Sequence, residues 1–177
     1  MQSLVALLKI LALSSAIGTG GVVQAGNGVP AKVSRVVDGD TIWVKPSDTS
    51  GVPAGTSIKN GRVKVRVAGI DAPESCQPYG KESTKALRQM LPEGSTIILV
   101  SYGVDKYGRW LANPIVNNID VSQQMVLHGY AWNYTSGRDK GQYASQQSMA
   151  QNNRVGLWGH PDPIQPGQWR KVHGPCN

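Results

Sequence analysis

The segment from residue 62 to residue 74, RVKVRVAGIDAPE, constrains the fold more than any other part of the chain. Its valines alternate with charged side chains, which is the period of a β-strand that buries one face and exposes the other. Pro73 holds the residue before it extended, so this strand should stop near Asp71. The core is therefore predicted to lie against a β-sheet.

The rest of the chain extends this pattern to an α+β, mainly β, fold. The apolar and polar alternation around Asp38-Gly39-Asp40 predicts a hairpin over 31–45, and the composition of 46–61 predicts a loop. Further strands are expected over 95–102 and 110–116, and helices over 81–91, 120–130 and 143–155. This order predicts a small β-barrel with about three attached helices.

Length and charge limit the classes of protein that fit. A chain of 177 residues, 40% hydrophobic and 16% charged, can bury one core, which excludes a large multidomain enzyme and a disordered protein. The formal net charge of +7 favours polyanionic partners such as nucleic acid or an anionic membrane.

The first 25 residues have the features of a signal peptide. Lys9 is their one charge, an apolar run follows it, and Val23-Gln24-Ala25 is a signal-peptidase motif. A membrane anchor and a buried helix are the alternatives, although the run is short for a membrane span and contains three glycines. We expect cleavage after Ala25, export to the periplasm or the medium without a stable membrane anchor, and a single domain over 26–177.

The two cysteines have a different meaning in an exported protein. Cys76 and Cys176 can pair there, which would tie the C-terminal tail to the middle of the chain; two unpaired thiols are the alternative. A zinc site is not expected, because the chain has no CxxC motif and its three histidines are scattered.

Acidic residues gather in two short segments of this basic chain. Asp38, Asp40, Asp71 and Glu74 are four of its 11 acids, and their mutual repulsion would be relieved by a bound cation. Oxygen ligands alone select Ca²⁺ or Mg²⁺, and export favours Ca²⁺. Each motif also has a structural explanation, since Asp-Gly is common in hairpin turns.

Two arginines accompany these acids, and their presence favours a catalytic site over a purely structural role. Arg66 lies on the strand that ends at Asp71, and Arg109 closes the turn Asp105-Lys106-Tyr107-Gly108-Arg109. Guanidinium groups bind phosphate through two hydrogen bonds, so the set suits metal-assisted phosphodiester hydrolysis. Arg66 and Asp71 are five residues apart and would face opposite sides of an unbroken strand, which predicts a bulge near Ala68-Gly69 or a strand end before Asp71.

The order of these motifs resembles the thermonuclease family, the staphylococcal-nuclease-like enzymes. The matching residues are Asp38-Gly39-Asp40-Thr41, Arg66 to Glu74, Asp105 to Arg109, Gly156-Leu157-Trp158, Pro163-Ile164 and Trp169-Arg170. The resemblance covers roughly residues 31–171 and implies a five-stranded OB-fold β-barrel. An exported, plasmid-encoded member would suit the leader.

The resemblance also implies a metal site. Asp40 and Asp71 match the calcium carboxylates of the family, and Ala72 matches the residue whose backbone carbonyl binds the ion. Asp38 matches an acid that lies near the calcium without binding it.

The implied activity is that of a calcium-dependent endonuclease on DNA and RNA, expected here to act as a monomer. Glu74 matches the carboxylate that activates or positions the attacking water, and Arg66 and Arg109 match the arginines that bind the phosphate. In the family, water attacks phosphorus and the 5′-oxygen leaves, which gives 3′-phosphate ends. A catalytically silent OB-fold that only binds nucleic acid is the alternative, and an envelope protein that uses the barrel for protein contacts is another.

Nucleic-acid contacts are expected beside the phosphate site. The candidates are Trp132, Tyr134, Lys106 and Tyr107. Trp132 and Tyr134 could stack on bases or pack in the core, and the sequence leaves both roles open. The loop over 46–61 is longer than its counterpart in the best-known member of the family.

Overall fold

The computed structural model describes residues 28–174 and residue 176. The strands are Val29–Asp38 (β1), Thr41–Pro46 (β2), Ile58–Lys59 (β3), Arg62–Val67 (β4), Ile70–Asp71 (β5), Thr96–Val104 (β6), Trp110–Val116 (β7), Ile119–Asp120 (β8) and Trp132–Asn133 (β9). The α-helices are Gly80–Met90 (α1), Val121–Leu127 (α2), Ala144–Asn152 (α3) and Pro166–His173 (α4). The predicted leader, residues 1–25, lies outside the described residues.

Five strands close into a barrel. β1 pairs antiparallel with β2 and β6, β2 pairs with β4, and β6 pairs with β7. The barrel closes because β4 and β7 run parallel, with Arg66 opposite Leu111. This mainly β, α+β architecture confirms the predicted OB-fold barrel.

The barrel interior follows from the alternation that the sequence shows. Val63, Val65 and Val67 of β4 are buried, as their period of two predicts. Trp110 at the start of β7 is the largest fully buried side chain, and its Nε1 donates to Ser101 Oγ at 2.9 Å. Burial of these apolar side chains supplies the driving force for closing the barrel.

The helices form close to their predicted positions but end earlier. Asp120 caps α2 as expected, since its carboxylate accepts from the backbone N–H of Gln123 at 2.9 Å. α2 ends at Leu127, before Gly129, whose φ of 67° is left-handed. α3 ends at Asn152 because Arg154 also has a left-handed φ, of 50°.

The C-terminal segment holds a helix that the sequence pattern did not predict. α4 is eight residues long and begins with Pro166 at its first turn. The Cys76–Cys176 disulfide, with a Cα–Cα distance of 5.7 Å, confirms the predicted pairing and attaches this segment to the loop after β5. Among the described residues, no helix is long and apolar enough to span a membrane.

Candidate active site

A cleft of about 890 Å³ collects most of the residues that the sequence singled out. It is lined by the predicted cation-binding and catalytic residues Asp38, Asp40, Asp71, Ala72, Glu74, Arg66 and Arg109. Lys106, Tyr107 and Tyr134 line it as well. Trp132 does not, and neither do Cys76 and Cys176.

The β1–β2 hairpin presents Asp40 to the cleft. The backbone N–H of Asp40 donates to Asp38 Oδ1 at 3.0 Å, which is the local bond expected of an Asp-Gly-Asp turn. The side chain of Asp40 accepts from Thr41 Oγ1 at 3.1 Å and from the backbone N–H of Ala72 at 2.8 Å. Asp40 is only 8% exposed, so these bonds fix the orientation of a buried carboxylate.

The predicted interruption between Arg66 and Asp71 is present. β4 ends at Val67, Ala68 and Gly69 form a turn, and the chain resumes as β5. Gly69 has a φ of 75°, which favours glycine because it has no Cβ. The turn brings Arg66 Nη2 to 3.1 Å from Asp71 Oδ1 and 3.1 Å from Asp40 Oδ2.

Burial and like charge dominate the electrostatics of these acids. Burial, followed by the charge of Asp40, raises the pKa of Asp38 to about 6. The same two causes raise the pKa of Asp71, against the opposing effects of Arg66 and Arg170. The cleft therefore holds more carboxylate charge than it can easily bury, and added positive charge would stabilise it.

The donor set fits a hard cation. Asp40 and Asp71 converge on one point, as their shared contact with Arg66 shows. In the part of the chain that the structure describes, no cluster of three or more His, Cys, Asp or Glu is arranged to hold a metal ion. The protein would thus supply two carboxylates and a backbone carbonyl such as that of Ala72, and water would complete the coordination of Ca²⁺ or Mg²⁺.

The β6–β7 turn carries Arg109 into the cleft. Asp105 Oδ1 accepts from the backbone N–H groups of Tyr107 and Arg109, and Asp105 Oδ2 accepts from Arg109 Nε at 2.6 Å. Burial acts against ionisation of Asp105, but these hydrogen bonds and the charge of Arg109 lower its pKa. A carboxylate from the same turn thus holds the Arg109 guanidinium in place.

Exposed tyrosines surround the cleft. Tyr107 is 69% exposed, with Arg109 Cζ 5.5 Å and Lys106 Nζ 5.1 Å from its ring centre. Tyr134 and Tyr102 are also exposed and line the cleft. Sequence analysis missed Tyr102, because nothing in its strand distinguishes it from an ordinary surface residue.

Trp132 lies elsewhere. Its ring packs edge to face on Trp158, with 4.4 Å between ring centres, and its Nε1 is buried. This packing favours the structural role that the sequence left open for Trp132.

Arg170 of α4 is a charged residue of the cleft to which the sequence analysis assigned no role. Its Nη1 lies 2.6 Å from Glu74 Oε1, and its Nη2 lies 3.1 Å from Asp71 Oδ2. The Trp169-Arg170 pair is visible in the sequence, but 96 residues separate Arg170 from Glu74 and no local pattern predicts that contact.

Comparisons with known proteins identify chains of similar sequence. The family model described as staphylococcal nuclease homologue matches residues 64–160. A probable staphylococcal-like nuclease of Oryza sativa subsp. japonica is 36% identical over 66% of this chain, which covers 35% of that protein. The chain thus spans about a third of the length of this plant relative.

Two bacterial relatives are matched over more of their length. An uncharacterized endonuclease of Haemophilus influenzae is 34% identical over 79% of this chain and 72% of its own length. An uncharacterized endonuclease of Escherichia coli O157:H7 is 33% identical over 80% of this chain and 85% of its own length.

Proposed function

The chain belongs to the family of staphylococcal nuclease homologues, and we propose that it is a calcium-dependent endonuclease that hydrolyses phosphodiester bonds of DNA and RNA. The observation that carries this proposal is the meeting of three carboxylates with two of the cleft's arginines, namely Asp40, Asp71 and Glu74 with Arg66 and Arg109. Carboxylates for a hard cation and guanidinium groups for a phosphate are the two sets of groups that this hydrolysis needs.

Each charged group of the cleft has its own role in the proposed reaction. Arg66 and Arg109 bind the phosphate and stabilise the charge that develops on its oxygens. Glu74 orients the attacking water and accepts a proton from it, a new O–P bond forms, and the 5′-oxygen leaves. Calcium, when bound through Asp40 and Asp71, would polarise the phosphate and offset its negative charge. The products carry 3′-phosphate ends.

Substrate binding would use the rim of the cleft. Tyr107 and Tyr134 offer exposed rings on which bases of either nucleic acid can stack, and Lys106 adds charge beside them. None of these side chains needs to read a base edge, so we propose little sequence preference and activity that weakens as salt rises.

Export completes the proposal. The leader would be removed after Ala25 and the single domain over 26–177 would act as a monomer outside the cytoplasm, where its disulfide is stable. The mass of the secreted chain tests this, since it should equal residues 26–177 less the two hydrogens of a disulfide.

Degradation of supercoiled plasmid by the purified protein tests the activity. We expect cleavage with Ca²⁺, none with excess chelator, and a loss of roughly 100-fold or more in Glu74→Gln and in Arg66→Ala. Glu93→Gln and Arg88→Gln make the same changes of charge at exposed positions outside the cleft and should retain activity. Thermal melts of all four variants separate lost chemistry from lost folding.

Two results would overturn the assignment. Full activity in chelator would remove the cation from the reaction, and full activity in Glu74→Gln or Arg66→Ala would remove those side chains from it. Retention of labelled DNA in a gel without any cleavage would favour the alternative, a catalytically silent binding module.

A further inference from the structure

The C-terminal arm, defined here as residues 164–174 with Cys176, is fastened to the short loop that carries Glu74. The carbonyl of Ile164 accepts from Gln77 Nε2 at 2.6 Å, and Cys176 is bonded to Cys76. Gln77 Oε1 in turn accepts from the backbone N–H of Glu74 at 3.1 Å. The arm is therefore held beside the cleft from both of its ends.

Between these two attachments the arm inserts one guanidinium into the acidic cleft. Arg170 bridges the two acids, with Nη1 at 2.6 Å from Glu74 Oε1 and Nη2 at 3.1 Å from Asp71 Oδ2. Arg66 holds the other oxygen of Asp71 at 3.1 Å. Both oxygens of Asp71 are thus engaged by positive charge.

The two arginines at Asp71 differ in how firmly they are held. Arg66 extends from a barrel strand and also donates to the carbonyl of Val67 at 2.9 Å, and its side chain is 15% exposed. Arg170 extends from an eight-residue surface helix, and its side chain is 43% exposed. Moving Arg170 away from Asp71 therefore costs less free energy than moving Arg66, because Arg170 is more exposed to water and loses less packing.

A divalent cation that binds Asp71 needs a carboxylate oxygen that Arg170 contacts. It would also bring two positive charges close to that guanidinium, and the repulsion would be strong in a half-buried site. The cation and the Arg170 contact therefore oppose each other. Arg66 contacts the same two carboxylates, but it is present in every variant compared below and so does not affect the comparison.

We propose that Arg170 is a built-in counter-ion that competes with the divalent cation for Asp71, and that the Cys76–Cys176 disulfide strengthens this competition by holding the arm beside the cleft. This inference rests on the proposed function, because it concerns the cation of the same site. Arg170 then sets the cation concentration at which the cleft becomes competent. The disulfide acts by raising the effective concentration of the guanidinium, as any short tether does.

Calorimetric titration of the purified, disulfide-bonded protein with Ca²⁺ alone tests the competition without any substrate. Arg170→Gln should bind Ca²⁺ more tightly, by on the order of tenfold, since it removes a partly exposed charge pair with two carboxylates. Lys171→Gln is the matched control, because it removes the same charge from the next, exposed position of α4 and should change the affinity far less.

The tether is tested with the double variant Cys76→Ser/Cys176→Ser. It should also bind Ca²⁺ more tightly, by a smaller factor than Arg170→Gln, because the free arm still carries Arg170. Arg170→Gln should then increase the Ca²⁺ affinity by a smaller factor in the double variant than in the disulfide-bonded protein. A double-mutant cycle measures this difference.

The outcomes separate the two proposals. If the unsubstituted protein takes up no Ca²⁺ and cuts no DNA, the proposed function fails and this inference falls with it. Suppose that the unsubstituted protein binds Ca²⁺ and cuts DNA. Arg170→Gln that binds Ca²⁺ no more tightly than the unsubstituted protein then overturns the proposed competition but not the proposed function. The same conclusion follows if Lys171→Gln raises the Ca²⁺ affinity as much as Arg170→Gln does. Unchanged or weaker binding in the double variant overturns the role of the disulfide.

Discussion

At the scale of single residues, the cleft depends on carboxylates that hold arginines in place. Asp40 and Asp71 do so for Arg66, both at 3.1 Å, and Asp105 does so for Arg109 at 2.6 Å. Each guanidinium is thereby oriented in advance, and under the proposed function this lowers the entropy lost when a phosphate binds. Asp40 and Asp71 thus orient an arginine besides carrying the charge proposed to bind a cation, whereas Asp105 orients Arg109.

Asp105 allows this orienting role to be measured through pH. We expect Asp105→Asn to lower the free energy of unfolding at pH 7 by about 1 kcal/mol, since it removes a carboxylate that accepts three hydrogen bonds. Because folding lowers the pKa of Asp105, its contribution is present above the usual value of 3.8 and is lost as the pH falls through the lower, folded value. The variant and the unsubstituted protein should therefore converge in stability in strongly acidic solution.

Urea denaturation at pH 7 and at about pH 3 makes this comparison. Asp139→Asn, an exposed acid beside the same cleft, serves as the control. A deficit of Asp105→Asn that stays constant with pH would contradict the electrostatic account.

At the scale of elements, the turn between β4 and β5 brings Arg66 and Asp71 together. It ends the alternation of β4 at Val67 and turns Asp71 to the side on which Arg66 lies. Gly69 is necessary there for two reasons, its φ of 75° and a close neighbour: a Cβ on this residue would lie 2.7 Å from Cε2 of Tyr143. The Tyr143 hydroxyl is itself fixed by a hydrogen bond to Asp120 Oδ2 at 2.8 Å, so the ring has little freedom to yield.

Gly69→Ala should therefore disturb both stability and the site. We expect a loss of about 2–4 kcal/mol in the free energy of unfolding, from left-handed strain together with overpacking against Tyr143. Plasmid cleavage should fall as well, at temperatures where the variant is still folded. Gly61→Ala is the control, since Gly61 has a similar φ of 67° but open space around its Cβ position.

Urea denaturation and the plasmid assay give the two readouts. Gly61→Ala should show the cost of backbone strain alone and keep its activity. Equal losses of stability in the two variants would show that the Tyr143 contact contributes nothing.

At the scale of the whole molecule, barrel closure brings Arg66 and Arg109 together. The parallel pairing of β4 with β7 sets Arg66 opposite Leu111, two residues beyond Arg109, so both arginines reach one cleft. The disulfide then adds the C-terminal arm to the same cleft across a sequence separation of 100 residues. The surplus of positive charge suits a barrel that attracts a polyanion to this one acidic site.

The disulfide should also stabilise the fold as a whole. We expect Cys76→Ser/Cys176→Ser to lose about 2–5 kcal/mol in the free energy of unfolding, because the bond closes a long loop in the unfolded chain. Urea denaturation of the double variant, and of the unsubstituted protein with and without reductant, measures this. Reductant should lower the stability of the unsubstituted protein to that of the variant and leave the variant unchanged; a reductant effect on both would point to another cause.

Local sequence patterns predicted the main barrel strands, three helices and the chemical types of the site, but not α4. A period of two in β4, the Asp-Gly-Asp hairpin and the Asp120 cap are local patterns, because the backbone geometry of neighbouring residues sets them. The parity of Arg66 and Asp71 even predicted the break at Ala68-Gly69. Which distant side chains meet depends instead on how the barrel and the C-terminal segment pack. Arg170 reaches Glu74 and Asp71, and Trp132 packs on Trp158 away from the cleft, because barrel closure and a long-range disulfide set those distances and no local period encodes them.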